Sequence, residues 1–333
     1  IFNCIESRHV LHEWMEGACR MSKQITLTDY YAYLEKKGLS KSTVATYRSS
    51  INRFVAWLEQ KEAHEMADGG LTALQKAFQK HIQLFKKTAG KDLKLKAGTI
   101  NLTIRHLKQC FSWMLANKLV PDNPAQEIKY IPEDRLKTKW ITEQQERKLF
   151  AELRLLLGNP KQYRKVIREY AMIALMYFTS ARVEELCNIK LVDIQINERS
   201  GWVYLYGKDN KQRKVDLNKS IRKLLTQYLN EYEGSLKSGY LFDSQRSGQV
   251  TTRAVQYIVE NYAKRLNMSN LTCHALRHTC LHNLVKAGVP LSTVAEIAGH
   301  LKADGTPNID MTLRYIKPGE EEKADAMEMI SWD

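Results

Sequence analysis

The chain has 333 residues, of which 44% are hydrophobic and 26% charged, as in globular proteins long enough for two domains. No run approaches the roughly 18 apolar residues that a membrane span needs, and no signal peptide is visible. The net charge of +14 is shared about equally between residues 1–136 and 137–333. Charge spread over both halves favours a polyanionic partner, with nucleic acid first, although a merely basic enzyme is the simpler alternative.

The six cysteines are scattered along the chain, and none form a Cys-x-x-Cys pair. This spacing favours reduced thiols in a cytoplasmic protein over a disulfide framework or a zinc module. Met21 opens a segment, MSKQITLTDYYAYLEKKG, that has the character of a natural start. We therefore expect residues 1–24 to be an appendage, to which the sequence assigns no role.

Residues 25–118 are predicted to form an all-α unit of four helices. Gly38 suits the C-cap of the first helix and Ser40 the N-cap of the second, whose apolar residues recur at helical spacing. Further helices are expected near 71–87 and 98–117, with a lysine-rich loop between them. Such a unit can place lysines and helix starts against phosphates, although a bundle with a solvated basic face would show the same pattern. The candidate DNA contacts in this unit are Lys41, Ser42, Thr43, Arg48 and Arg105.

A change of composition separates this unit from the rest of the chain. The segment 119–139 contains three of the seven prolines and lacks a helical period, so it is predicted to be an interdomain linker. A helix is expected to begin at Thr142, because Thr142 and Gln145 have the spacing of a capping box. The apolar helix over 161–178 is predicted to lie in the core of the second domain, residues 140–318.

One stretch, GWVYLYGKDNKQRKVDL, carries the pattern of a β-hairpin. Its residues Trp202, Tyr204 and Tyr206 alternate with aliphatic ones, and a polar turn follows. The tip of this hairpin is predicted to carry Lys208 and Lys211, and Lys211 is a further candidate for DNA contact. The predicted fold class is therefore mainly α with a small β-hairpin or sheet.

Chemically distinctive residues gather in the last third of the chain. His274 and Arg277 lie about one helical turn apart, so an imidazole and a guanidinium can reach one anion. His300 ends a second helical pattern, and Tyr315 follows on a short amphipathic segment. Together these residues can surround one phosphate with hydrogen-bond donors and a nucleophile, without a metal.

A metal site is the main alternative for the histidines of this stretch. His274, His278 and His282 recur at i, i+4 and i+8, which places them near one face of a helix. No clear cysteine or acidic ligand accompanies them. We therefore expect no metal site and assign His278 and His282 to packing or hydrogen bonding.

These motifs occur together in one known family. A Gly-Lys pair at a hairpin tip, ARVEEL, HALRH, AGH and a later tyrosine resemble the tyrosine recombinases, the phage-integrase and Xer-type enzymes. GLSKSTVATYRSSINRFVAWL resembles the helical core-binding (SAM-like) domain of that family, and the resemblance covers roughly residues 25–318. It implies that this domain precedes an α+β catalytic domain and that both close on duplex DNA. The implied catalytic residues are the arginine pair Arg182 and Arg277, the hairpin lysine Lys208, the histidines His274 and His300, the nucleophile Tyr315 and the supporting acid Glu185.

Each of these residue types suits the implied reaction. Two arginines can hold the non-bridging oxygens of a phosphodiester whose transition state gains negative charge. His274 can accept the proton of the phenol, and a lysine on the hairpin can protonate the leaving 5′ oxygen. The resulting 3′-phosphotyrosine keeps the energy for religation, so no ATP, metal or other cofactor is implied.

The resemblance also implies a homotetramer that binds two DNA sites, each with inverted half-sites. Such an assembly would integrate, excise or resolve DNA such as a mobile element, and accessory factors could take part. Two other functions stay open: DNA relaxation of the type IB topoisomerase kind, and non-catalytic DNA binding. One departure is the long stretch between His300 and Tyr315, where residues 304–308 are turn-like and could loop out. The acidic tail 319–333 is a candidate segment for docking on a neighbouring subunit.

Overall fold

The computed structural model describes residues 25–61, 70–132, 140–207, 212–244, 248–302, 304–313, 327–328 and 330. The chain divides into two compact units, with the boundary after residue 135. The predicted appendage over 1–24, most of the tail 319–333, and the residues Lys208, Lys211 and Tyr315 lie outside the described residues. No helix in the described ranges is long and apolar enough to cross a membrane.

The described part of the first unit consists of helices and their connections. Its helices are α1 (Leu27–Lys36), α2 (Lys41–Lys61), α3 (Gly70–Gln75), α4 (Gln79–Asp92) and α5 (Ala97–Ala116). Aromatic rings fill much of the core, where Trp57 meets Phe85 edge to face with 5.2 Å between ring centroids. The turn between α1 and α2 uses the expected capping residues, because Gly38 has a φ of 81° and the Thr43 amide donates to Ser40 Oγ at 3.3 Å.

The helix predicted over 71–87 is wrong in its extent. It is divided, because α3 ends at Gln75 and the Phe78 amide starts α4 by donating to His81 Nδ1 at 3.0 Å. Helix α4 then continues to Asp92, through residues that were predicted to be a lysine-rich loop. Ala89 is fully buried in this last part. Burial of one helical face therefore outweighs the weak local preference of a sequence rich in lysine and glycine.

The boundary between the units falls inside the predicted linker 119–139, but the first part of that segment packs on the first unit. Val120, Ala125 and Ile128 are buried in its core. The Asn101 side chain exchanges two hydrogen bonds with the backbone of Ile131, at 2.7 and 2.8 Å. Apolar anchors therefore hold this non-helical segment in place, which proline content alone does not reveal.

The second unit combines helices with a small antiparallel sheet, which confirms the predicted fold class. Its elements are α6 (Glu143–Leu157), α7 (Tyr163–Thr179), α8 (Val183–Asn188), β1 (Ile194–Ile196), β2 (Gly201–Tyr206), β3 (Gln212–Asp216), α9 (Lys219–Glu231), α10 (Thr252–Arg265), α11 (Cys273–Lys286), α12 (Leu291–Ala298) and α13 (Ile309–Thr312). The strand order is β1-β2-β3, and Val203 pairs with Val215 across the predicted hairpin. Strand β1 was not predicted, because three residues are too few to show an alternation.

Helix α7 lies in the core of the second unit and leads directly to the site described below. Residues 171–176 are all buried, as expected for a central helix. The predicted capping box before α6 is present, with the Gln145 amide donating to Thr142 Oγ1 at 3.3 Å. Helix α7 ends at Thr179 and is capped by Ser180, whose φ of 55° places it in the left-handed region and turns the chain sharply into α8.

Candidate active site

Arg182 and Glu185 lie at the start of α8, immediately after the Ser180 turn. The buried carboxylate of Glu185 accepts from the Arg182 backbone amide at 2.8 Å and from Arg182 Nη1 at 2.7 Å. An acid at this position satisfies an amide that the helix start leaves without a helical partner. The side chain of Arg182 stays 39% exposed, so it is held in place and still accessible to an anion.

A further arginine, Arg213, completes this ion pair and was missed by the sequence analysis. From strand β3 its two Nη atoms donate to the Glu185 carboxylate at 2.9 and 2.7 Å. Its Nε donates to the carbonyl of Ile297 at 2.8 Å. The available sequence signal was its spacing of two from the buried Val215, which places both residues on one face of the strand.

The two arginines control the ionisation of Glu185. Burial alone would raise the pKa of this carboxyl, but the hydrogen bonds and charge of Arg213, together with those of Arg182, lower the pKa to about 2. Glu185 therefore carries a negative charge at any pH at which the protein works. That charge holds both guanidinium groups beside one carboxylate.

Glu185→Gln is expected to lower the free energy of unfolding most at neutral pH. Because the folded-state pKa lies below the ordinary value of 4.5, the carboxylate stabilises the fold above pH 4.5, and this stabilisation is lost as the pH falls toward 2. The difference between wild type and E185Q should shrink by roughly 2 kcal/mol between pH 7 and pH 3, as urea unfolding at each pH measures. The exposed neighbour Glu184 supplies the control E184Q. A difference for E185Q that is independent of pH would contradict the expectation.

Arg277 is buried where the end of α7, helix α11 and the end of α12 meet. Its side chain is 1% exposed. Nη1 donates to the carbonyl of Ser180, and Nη2 donates to the carbonyl of Ala298 at 2.6 Å and lies 3.1 Å from His300 Nε2. Carbonyl oxygens thus receive this buried charge and help to offset the cost of removing it from water.

The turn after α12 places His300 beside this arginine. The Gly299 amide donates to the Glu296 carbonyl at 2.9 Å, and the His300 amide donates to the Ala295 carbonyl at 2.8 Å. These two bonds form a Schellman motif, which requires a left-handed residue, and Gly299 has a φ of 63°. The turn therefore ends the helix and directs the next residue, His300, back toward Arg277.

The remaining carbonyls at the end of α12 accept hydrogen bonds from arginines. Ile297 accepts from Arg213, and Ala298 accepts from Arg277. Positive charge is favourable at the negative end of a helix dipole. A Cβ atom on Gly299 would lie 3.0 Å from Arg213 Nη1, so this turn needs glycine for its close approach to the guanidinium as well as for its φ.

The buried ring of His300 is held from its other side by α13. Its Nδ1 lies 3.2 Å from Thr312 Oγ1, and that hydroxyl donates to the Asn308 carbonyl at 3.2 Å. Because the hydroxyl proton of Thr312 is already donated to Asn308, Thr312 Oγ1 can only accept a hydrogen bond from His300 Nδ1–H. The Nε2 atom then faces Arg277 with its lone pair, a tautomer that we assign from the hydrogen-bond network.

The long stretch between His300 and Tyr315 contains a closed loop, as expected for residues 304–308. Leu301 and Pro307 form a β-bridge, and the Lys302 amide donates to the Thr306 carbonyl at 2.8 Å. The Asn308 amide then donates to the His300 carbonyl at 2.7 Å, so the chain returns to the point where it left. The loop therefore begins and ends beside the backbone of His300, and α13 follows it directly.

His274 lies exposed in the first turn of α11, one turn before Arg277. Its ring meets the buried ring of His278 edge to face, with 4.4 Å between centroids, and His282 stacks on Trp140 at 4.0 Å. These are the packing roles expected for His278 and His282. Among the described residues, no group of three His, Cys, Asp or Glu side chains is arranged to hold a metal ion.

The predicted DNA contacts of the first unit lie at the start of α2 and along α2 and α5. Ser42 and Thr43 share hydrogen bonds with Ser40 Oγ, at 3.0 and 2.8 Å, beside the exposed Lys41. The two predicted arginines are exposed and lie over tyrosine rings. These pairs are Arg48 with Tyr31 at 4.8 Å and Arg105 with Tyr130 at 5.9 Å.

Comparison with known proteins identifies the family of the chain. The sequence profile of the phage integrase family matches residues 139–321, more than half of the chain, and that of its N-terminal SAM-like domain matches residues 27–120. Tyrosine recombinase XerC of Bacillus licheniformis is 28% identical over 290 residues, which cover 84% of this chain and 89% of that protein. XerC of Herpetosiphon aurantiacus is 27% identical over 288 residues, covering 85% and 89%.

Solved structures show the same fold. The XerH site-specific recombinase, bound to a palindromic difH substrate after cleavage, aligns with a TM-score of 0.68 and 19% identity over 90% of this chain and 84% of its own. The Tn1549 transposon integrase, in complex with transposon right end DNA, aligns with a TM-score of 0.66 and 20% identity over 92% and 99%. The chain therefore belongs to the phage integrase family, the tyrosine-type site-specific recombinases.

Proposed function

We propose that this recombinase cuts and rejoins duplex DNA with Tyr315 as its nucleophile and with Arg182, Arg277 and His300 around the scissile phosphate. The observation that carries the proposal is the junction at Arg277, where one guanidinium contacts Ser180, Ala298 and His300. Residues far apart in sequence thereby meet at Ser180, two residues before the partly exposed Arg182. Cationic and hydrogen-bonding groups held in this way can stabilise the negative charge that develops on the non-bridging phosphate oxygens during transfer.

In the proposed reaction the Tyr315 oxygen attacks phosphorus, and the bond to the 5′ oxygen of the next nucleotide breaks. His274 accepts the phenol proton, for which its exposed position at the start of α11 is suitable. Lys208 donates a proton to the leaving 5′ oxygen. Religation reverses these steps with the 5′ hydroxyl of another strand, so the chemistry consumes no cofactor.

Lys208→Ala is expected to slow cleavage of ordinary DNA by about 10²- to 10⁴-fold, because the 5′ alkoxide then leaves without a proton. A substrate with a bridging sulfur at the 5′ position should remove most of this defect, since a thiolate leaves without protonation. The measurement is the rate of covalent adduct formation on both substrates, in EDTA, by denaturing gel. Lys214, an exposed lysine on β3, supplies the control K214A. An unchanged defect with the sulfur substrate would contradict the role of Lys208 as the acid.

We further propose that Lys41, Ser42, Thr43, Arg48, Arg105 and Lys211 contact DNA phosphates. The exposure of Lys41, Arg48 and Arg105 and the net charge of +14 support this assignment. Variants at the three exposed cations should weaken binding to all sequences alike and reduce its dependence on salt.

The biological setting is proposed from the relatives. They include XerC recombinases and a transposon integrase, which fits a homotetramer on inverted half-sites that moves or resolves a DNA element in the bacterial cytoplasm. Size measurement of the DNA complex by light scattering tests the tetramer. Covalent capture of a nicked duplex in EDTA tests the chemistry.

A further inference from the structure

Arg213 differs from Arg182, the other arginine that pairs with Glu185, in how its donors are used. Nε, Nη1 and Nη2 each donate to an acceptor within the protein, two of them to one carboxylate. The side chain is only 10% exposed, whereas that of Arg182 is 39% exposed. The donors of Arg213 are therefore directed at protein groups, and Arg182 is the more accessible of the two arginines that share Glu185.

The groups that Arg213 holds belong to three separate parts of the proposed active site. The residue itself lies on β3, the return strand of the hairpin whose tip is predicted to carry Lys208. Its carboxylate partner Glu185 positions Arg182, and its carbonyl partner Ile297 lies three residues before His300. The Arg213 side chain thus connects strand β3, the helix start that carries Arg182 and the turn before His300.

The backbone turn at Gly299 lies close to the guanidinium of Arg213. A Cβ at that position would lie 3.0 Å from Arg213 Nη1 and 3.3 Å from its Cδ. The backbone before His300 therefore packs directly on Arg213, and a shift of the guanidinium would move the turn that carries the histidine. Lysine cannot replace these contacts, because its single ammonium group lacks the planar set of donors.

Arg213 also limits how strongly Glu185 attracts Arg182. In the structure one carboxylate is shared by both guanidinium groups, at 2.7 Å from each. If Arg213 were lost, Arg182 would remain as the one of these two arginines that pairs with the buried carboxylate of Glu185. That arginine would then be held by the carboxylate at the expense of its contact with DNA phosphate.

We propose that Arg213 is a positioning residue for strand cleavage, which couples strand β3 to Arg182 and to the turn before His300. This inference rests on the proposed function of the same site. Its consequence is specific: loss of Arg213 should reduce the rate of the chemical step while DNA binding is retained.

The test compares R213K with a matched control, R222K. Arg222 also packs against a glycine of the sheet, Gly201, and donates to backbone carbonyls, but its partners Leu217 and Glu198 lie outside the proposed site. Single-turnover adduct formation, DNA affinity and thermal melting are measured for both variants. We expect R213K to cleave about tenfold more slowly or worse at unchanged affinity, and R222K to cleave like wild type.

Other outcomes decide against the inference. Equal cleavage by R213K and wild type, or equal losses in R213K and R222K, would show that Arg213 has no special role. If R213K does not fold, the variant Gly299→Ala is used instead, because it keeps Arg213 but pushes its guanidinium away from the turn. Normal cleavage by G299A would then overturn the inference. A wild-type protein that forms no adduct would overturn the proposed function instead, and the inference with it.

Discussion

Tyr315→Phe is expected to abolish covalent attachment to DNA, lowering adduct formation by about four orders of magnitude or more. The substitution removes the attacking oxygen and leaves the ring, so binding to the same DNA should be nearly unchanged. The measurement uses a nicked duplex with the element's own end sequence, in EDTA, followed by a denaturing gel. Tyr257, which is 57% exposed in the same unit, supplies the control Y257F.

The possible results separate the functions that the sequence left open. An adduct in wild type and Y257F but not in Y315F would identify the nucleophile, and Tyr315 is the sole tyrosine after His300. An adduct that persists in Y315F would contradict the assignment. Binding without any adduct in wild type would favour a non-catalytic DNA-binding protein. Relaxation of supercoiled DNA without strand exchange would favour the topoisomerase-like alternative.

Arg277→Ala is expected to reduce cleavage by about 10³-fold or more and also to destabilise the fold. The first effect follows from the loss of a charged donor beside the phosphate. The second follows because the Ser180 and Ala298 carbonyls lose a buried donor. Adduct formation and the melting temperature are measured together, so that both effects are seen on one sample.

Arg182→Ala is the matched comparison, because Arg182 has the same charge but is partly exposed. Its loss should reduce cleavage to a similar degree with a smaller change in melting temperature, since Arg213 still pairs with Glu185. R277K adds a further check, because lysine keeps the charge but not the paired donors. Cleavage that survives in either alanine variant would contradict the arginine pair.

Local features of the fold could be predicted because their causes are local. The capping box of Thr142 and Gln145 spans three residues, and the left-handed Gly38 follows directly on its helix. The alternation that predicts the hairpin is equally short in range. Where local preference and packing disagreed, packing prevailed: α4 extends to Asp92, and residues 120–131 join the first core.

The candidate catalytic residues could be selected from the sequence because their types and short-range spacing suit the proposed chemistry, as in His274 and Arg277 on one helix. Arg213 could not, because its partners Glu185 and Ile297 are 28 and 84 residues away. In the sequence, an arginine next to a lysine on a hairpin gives the same pattern whether its side chain faces solvent or a buried carboxylate.

The sequence by itself determined the family, the candidate catalytic residues and the helix and hairpin signals, all of which depend on residue type and short spacing. Only the tertiary structure decided how the site is held: Arg277 against the carbonyl of Ser180, Arg213 on Glu185, and His300 between Arg277 and Thr312. The physical reason is that a buried charge requires partners with suitable geometry. Those partners are supplied by the folding of distant segments onto one another.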